Sequence, residues 1–454
     1  MAQLLLDQRR LPGRQSEIIA LDGLWYEGSN RRMAHGMGRR RHADPIWHLS
    51  GNLGTKTNTA IMVRRAHILL PLVGLLLMNC ENYFGKRTDL DFIEIPTYDV
   101  REISYVPIAP NINDAQSPVD VHVGYDEFIY VVDSANDQVL RYDLALNLQG
   151  SITIPGVRKV AQNRSFHLLA IGTYDTTIAG VDYSLTALYD IDLVDDQNTL
   201  SFNNVIAEPV LVHPFYFKNS FSSSDAKVEF TDVAIIGSNL PAENNSYYLS
   251  RTGVSSNNAG FGPDYAVLKF TKDHQWISSI PVTATGATYS NYFKNPLALQ
   301  GFTQAPQLTA NNSPDFWVLN QNEDQEIQVQ HIQFTEGPFG ALYQPIFYST
   351  SDPNSTGYLQ TPKRFEDPVD LCLAGDGSRF LFVADAGVDS VYQFTSSGLE
   401  GVPPPPASSA ETNAIGTLGG FGNVSAISYY DNILYVADSK TGVVKRFKLT
   451  LDFD

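Results

Sequence analysis

Three aspartates close near-identical phrases: Asp133 in Ile129-Tyr-Val-Val-Asp133-Ser-Ala, Asp385 in Leu381-Phe-Val-Ala-Asp385-Ala-Gly, and Asp438 in Leu434-Tyr-Val-Ala-Asp438-Ser-Lys. A ring of carboxylates could hold a cation, because hard divalent ions take oxygen ligands. The repetition favours a plainer role. An Asp that leaves a strand into a Ser/Ala turn accepts turn backbone N–H groups and ends the strand. A binding site is usually built from unlike residues, so Asp133, Asp385 and Asp438 are expected to be structural turn residues.

Asp120 and Asp370 have a stronger claim on chemistry. Both stand in a Pro-Val-Asp opening, at Pro118–Asp120 and Pro368–Asp370, with Ser425 aligned to them in the third copy. This is the first strand of the repeat, where side chains can face a central channel. Asp120, Asp370 and neighbouring His122 are the weak metal candidates, with zinc or calcium as the ion. His122 aligns with Cys372 and Ile427, so its position tolerates apolar residues and packing is the favoured reading. The body also holds His167, His213, His274 and His331, and no pair shows a local ligand spacing.

With only two cysteines, Cys80 and Cys372, a disulfide framework is excluded. Cys372 lies in an apolar run and reads as a buried small hydrophobe. No Gly-x-Ser-x-Gly elbow or phosphate loop occurs, and Gly419-Gly-Phe-Gly422 precedes a strand rather than a helix. No catalytic or cofactor-binding residue is therefore assigned.

Each Asp phrase is followed by a valine (Val139, Val391, Val444) and then an aromatic (Tyr142, Phe394, Phe447) at constant spacing. Apolar strands separated by one turn and repeated at intervals predict an all-β fold, a β-propeller of six blades. Weaker copies are outlined by His167–Ile171 with Leu185–Ile191, read as inner and middle strands. Further outlines are Asp232–Ile236 with Tyr247–Leu249 and Tyr265–Phe270, and Phe316–Leu319 with Ile327–Ile332. A loop at 251–264 and the stiff Pro403–Pro406 stretch read as insertions. The last blade runs out after its third strand, so Ile103–Ile108 is predicted to supply the fourth and close the ring. Pro107 is compatible with such an edge strand.

The net charge of −18 argues against nucleic-acid binding. It is unevenly spread. Residues 1–79 carry 11 Lys and Arg against 5 Asp and Glu, and the remainder carries 20 against 44. Arg64-Arg65 precedes an apolar stretch, Ala66–Met78, too short to span a membrane and followed at once by Asn79-Cys80. This resembles a bacterial lipoprotein signal with Cys80 as the lipidation site, although Asn79 replaces the small residue expected there. The expected organisation is 1–61 as an over-extended start, 62–79 as signal peptide, 80–97 as tether and 98–454 as propeller.

The phrase Tyr435-Val-Ala-Asp-Ser439 followed by Val444-Lys-Arg-Phe447, with its counterpart Ile129–Tyr142, resembles the NHL repeat family. The resemblance implies a six-bladed propeller of the kind found in envelope lipoproteins of Bacteroidetes-type bacteria. It leaves activity open, since NHL-like propellers include binding proteins and lyase or lactonase-like enzymes. Lyases of this kind hold zinc by histidines from several blades. The first expectation is a monomeric, lipid-anchored envelope scaffold that binds a protein, peptide or glycan through its loop face. Long Tyr/Asn/Gly-rich insertions at Tyr247–Gly262 and Thr283–Tyr292 support it. The alternative is a metal-dependent envelope enzyme.

Overall fold

Runs such as Ile129–Asp133, Leu381–Asp385 and Phe316–Asn320 are buried at every residue. A strand can be apolar on both faces only if its sheet is sandwiched between neighbours, and radial stacking of sheets provides this. The computed structural model describes residues 103–452, except 196–198, 203–207, 215–220, 222, 254–264, 306–311, 322–325, 338–339, 348–357 and 403–420.

An edge strand, β1 (Tyr105–Ile112), precedes six sheets. Blade 1 is β2 (Pro118–Val123), β3 (Ile129–Asp133), β4 (Gln138–Tyr142) and β5 (Leu148–Thr153). Blade 2 is β6 (Lys159–Gln162), β7 (His167–Ile178), β8 (Val181–Asp192) and β9 (Pro209–Val212). Blade 3 is β10 (Glu229–Ile235), β11 (Tyr247–Thr252), β12 (Ala266–Phe270) and β13 (Trp276–Ser279). After the hairpin β14 (Val282–Ala284) and β15 (Ala287–Tyr289), blade 4 is β16 (Pro296–Gly301), β17 (Phe316–Asn320), β18 (Val329–Gly337) and β19 (Gly340–Ile346). Blade 5 holds β20 (Pro368–Leu373), β21 (Leu381–Asp385) and β22 (Ser390–Phe394). Blade 6 holds β23 (Val424–Tyr430), β24 (Ile433–Asp438) and β25 (Val443–Leu449), with β1 as its outer strand.

The chain is thus a six-bladed β-propeller. Six apolar clusters fill the spaces between successive blades, and one of them joins Val121 and Val131 of blade 1 to Ala426 and Tyr435 of blade 6. Closure is covalently economical: β1 runs antiparallel to β25, from Tyr105 opposite Leu449 to Ile112 opposite Val444. The strand starts later and runs further than the predicted Ile103–Ile108. Exposed Pro107 sits on its outer edge, where no ladder donor is missed.

Some expectations need correction. His167–Ile171 belongs to the second strand of its blade, because β6 lies inside it. The four residues of β6, Lys-Val-Ala-Gln, are too short and too polar at both ends to register as an apolar run. In blade 4, β16 lies inside the expected strand Phe316–Leu319, for which the sequence assigns no position in the blade. Of the two insertions, Tyr247 and Tyr248 are buried core residues of β11, and Thr283–Tyr292 contains the β14–β15 hairpin. The segments 1–61, 62–79 and 80–97, with Cys80, lie outside the described residues, as do most of the 251–264 loop and Pro403–Pro406.

Tyr105 is 1% exposed and meets Phe382 edge-on at 6.0 Å. Tyr105→Ala should destabilise the ring by about 3–5 kcal/mol, as large aromatic truncations do. Asn111→Ala, on the exposed side of the same strand, should stay within about 0.5 kcal/mol. Equal effects of the two variants in urea unfolding would contradict this closure.

Candidate functional site

The innermost strands β2, β6, β10, β16, β20 and β23 surround an axis. Their pairing with the second strands places one residue per blade at a common level: Asp120, Lys159, Asp232, Ala298, Asp370 and Ala426. Ala426, not Ser425, is therefore the counterpart of Asp120 and Asp370. It stands opposite Ala437, one residue before the phrase aspartate, just as Asp120 stands opposite Val132.

An inner strand has one edge without a partner strand, and its amides need acceptors. The carboxylates of alternate blades supply them. Asp120 Oδ2 accepts the Val160 amide at 2.8 Å, Asp232 Oδ2 that of Leu299 at 2.7 Å, and Asp370 Oδ2 that of Ile427 at 2.9 Å. Each bond links one blade to the next. Asp232 was not singled out from sequence, because its strand lacks the Pro-Val-Asp opening that marks Asp120 and Asp370.

Lys159 donates to the free oxygens of two carboxylates, Asp370 Oδ1 at 2.8 Å and Asp120 Oδ1 at 3.2 Å. Blades 2 and 5 face each other across a six-membered ring, so the Lys159–Asp370 pair is a strut across the channel. Burial works against the lysine charge, but Asp120, Asp370 and Asp232 more than offset it and hold its pKa well above the ordinary value. Burial also raises the Asp370 pKa, with Asp120 adding to the effect. Asp232 receives no lysine bond. Burial, aided by Asp370 and Asp120 and opposed by Lys159, pushes its pKa up to about 7.

Two residues along, His122 Nε2 accepts the Gln162 amide at 3.1 Å, which leaves the ring proton on Nδ1. Burial pushes its pKa down to about 4, with Lys159 adding to the fall, so His122 is neutral near pH 7. Gln300 Oε1 and Ser428 Oγ accept the amides of Leu373 and Val123 in the same way. The lone pairs a cation would use on Asp120, Asp370 and His122 are thus engaged by Lys159 and by backbone N–H groups. Among the described residues, no group of three or more His, Cys, Asp or Glu is disposed to hold a metal. The remaining histidines are dispersed. His167 and His274 share Asp190, His213 lies beside Asp225, and His331 lies beside Asp315. Cys372 is a buried free thiol whose pKa burial raises.

The phrase aspartates reach further than their own turns. Asp133 accepts the amides of Gln116 and Ser117, Asp385 those of Glu366 and Asp367, and Asp438 those of Gly422 and Asn423. Each also takes an amide from its own turn, from Ala135, Gly387 and Thr441 respectively. The end of every such second strand is thereby tied to the segment entering the inner strand. Asn320 repeats this in blade 4 by accepting the Lys294 amide at 3.1 Å.

The Lys159 knot divides the axis. On one side a cavity of about 50 Å³ is lined by His122, Gln162, Gln300 and Thr303. On the other a wider mouth of about 410 Å³ is ringed by Val119, Arg158, Thr231, Leu297, Val369 and Ser425, again one residue per blade. Thr231 and Ser425 donate their hydroxyl protons to the Pro296 and Pro118 carbonyls of the following blades. At the rim, Arg158 Nη1 meets Glu229 Oε2 at 2.9 Å, with both side chains accessible.

No protein-family model and no curated protein matches the chain. Similar solved structures include an auxiliary nutrient binding protein from Bacteroides thetaiotaomicron, at 9% identity and TM-score 0.44, covering 76% of each chain. A protein of unknown function from the same organism has 12% identity and TM-score 0.43, covering 76% of this chain and 73% of that one. Virginiamycin B lyase from Staphylococcus aureus has 9% identity and TM-score 0.38, covering 77% of this chain and 100% of its own. Their functions are mixed, and at this distance none of them transfers.

Two outcomes are expected. Lys159→Met strands buried carboxylates and should cost about 3–5 kcal/mol, with partial recovery when Asp370→Asn is added. Recovery absent from urea unfolding would contradict the strut. Asp232 binds its proton more tightly folded than unfolded, so its contribution to stability falls as pH rises from about 4 to about 7. Asp232→Asn, which does not titrate, should flatten that fall. Parallel stability–pH curves for the two proteins would refute the assignment.

Proposed function

We propose that the chain is a lipid-anchored, NHL-type propeller of a bacterial envelope that binds a protein, peptide or glycan without catalysis. The observation that carries this reading is the contrast along the axis. The inner charged groups are committed to holding blades together, while an open mouth lies directly above them. A concave site on a rigid scaffold, with apolar walls and a few polar groups, suits recognition. The acidic surface supports an envelope partner over nucleic acid or an anionic lipid face. Cys80, after the apolar Ala66–Met78, would carry the lipid and hold a monomeric domain at the membrane, facing the periplasm or the exterior. Among the described residues no helix is long and apolar enough to cross a membrane.

The test combines location and occupancy. Cys80→Ala should release the protein from the membrane fraction of its native host. Cross-linking of the full chain in that envelope should capture a partner, and elemental analysis of the purified protein should find no stoichiometric metal. Tightly held zinc or calcium, with turnover lost on chelation, would replace this reading with the metal-dependent enzyme. An unchanged membrane fraction for Cys80→Ala would remove the lipid anchor.

A further inference from the structure

The mouth carries a chemical bias that narrows the partner class. Beneath it three carboxylates, Asp120, Asp232 and Asp370, share a single ammonium. At its rim the Glu229 side chain is 55% exposed and Asp367 is also exposed, with Oδ1 of Asp367 accepting from Gln321 Nε2 at 2.6 Å, against one guanidinium, that of Arg158. Arg158 engages Glu229 through a single oxygen, so the carboxylate is only partly satisfied. The chain beyond residue 79 carries 20 Lys and Arg against 44 Asp and Glu, which adds a long-range field of the same sign. Val119, Leu297 and Val369 give the ring an aliphatic side between its polar members, and no aromatic side chain is among the residues lining the cavity. A sugar ring would find no flat face to stack on. An aliphatic stem with a positive tip would find both a wall and a counter-charge.

Resting on the binding reading above, we propose that the mouth receives a lysine side chain presented by an extended peptide or protein loop. The methylene stem lies against Val119, Leu297 and Val369, and the ammonium reaches Glu229 and Asp367. Lysine suits this better than arginine, being a compact point charge on a long apolar stem. A cavity of about 410 Å³ also leaves room for the flanking backbone. Arg158 is then a built-in competitor for Glu229 that tempers affinity.

The probes are fluorescein-labelled blocked pentapeptides Gly-Ser-X-Ser-Gly, with X as lysine, norleucine or glutamate, titrated into the full chain by fluorescence anisotropy. The lysine peptide should bind about tenfold more tightly than the norleucine peptide, and the glutamate peptide should not bind. Glu229→Gln with Asp367→Asn should weaken the lysine peptide by about tenfold, while Arg158→Gln should tighten it. Unchanged thermal melting of these rim variants separates loss of the site from loss of the fold. Equal binding of lysine and norleucine peptides, or weaker binding by Arg158→Gln, would overturn the inference. So would the absence of any binding. The envelope cross-linking experiment is independent of these peptides, so the scaffold reading can survive their failure.

Discussion

A closed ring of sheets leaves each inner strand with an edge that no seventh strand can reach, and satisfying that edge governs the centre of this protein. The solution is a carboxylate on every second blade, each accepting an amide of the next: Asp120 to Val160, Asp232 to Leu299, Asp370 to Ile427. Three buried acids then create a new demand for positive charge. Lys159 meets part of it, from inside the ring and across its full diameter. Burial, with Asp370 and Asp120 nearby, keeps the proton on Asp232 to higher pH than an ordinary carboxylate holds one. The inner polar groups are thus largely absorbed by architecture, with the mouth lying above them.

The knot and the mouth are neighbours along the same strands but are built largely from different residues. The knot residues Asp120, Lys159, Asp232 and Asp370 form the floor, the residues immediately before them form the mouth, and successive residues of one strand point in different directions. Val119, Leu297 and Val369 pack against the apolar clusters between blades, whereas Thr231 and Ser425 hold the neighbouring carbonyls through their hydroxyls.

The architecture was largely legible in the sequence because it is written in repetition. Burial of both faces demands long apolar phrases, and three of them survive nearly unaltered around Asp133, Asp385 and Asp438. Closure was legible too, since a missing fourth strand and a spare edge-compatible segment with Pro107 pointed to each other. What escaped was set by pairing rather than by composition. The inner strand β6 is only Lys159–Gln162, and its lysine faces a partner 211 positions away. Asp232 lacks the Pro-Val-Asp opening and Ser425 is one place out of register, and only strand pairing reveals either. The mouth could not be read at all, because it is assembled from one residue of each blade and no local pattern marks it.

The closing strand β1 also decides how the domain would bear load. Any pull on the chain ahead of Tyr105 enters the ring at the outer edge of blade 6, at the pair Tyr105–Leu449. The first bonds to carry it are those between Ser104 and Thr450, followed by the β1–β25 ladder and the Arg446 bond to the Pro110 carbonyl. Force directed along the strand would shear that ladder as a unit, and force directed outward would peel it one pair at a time. The strand that completes the fold is thus also the first element of the ring to carry such a load.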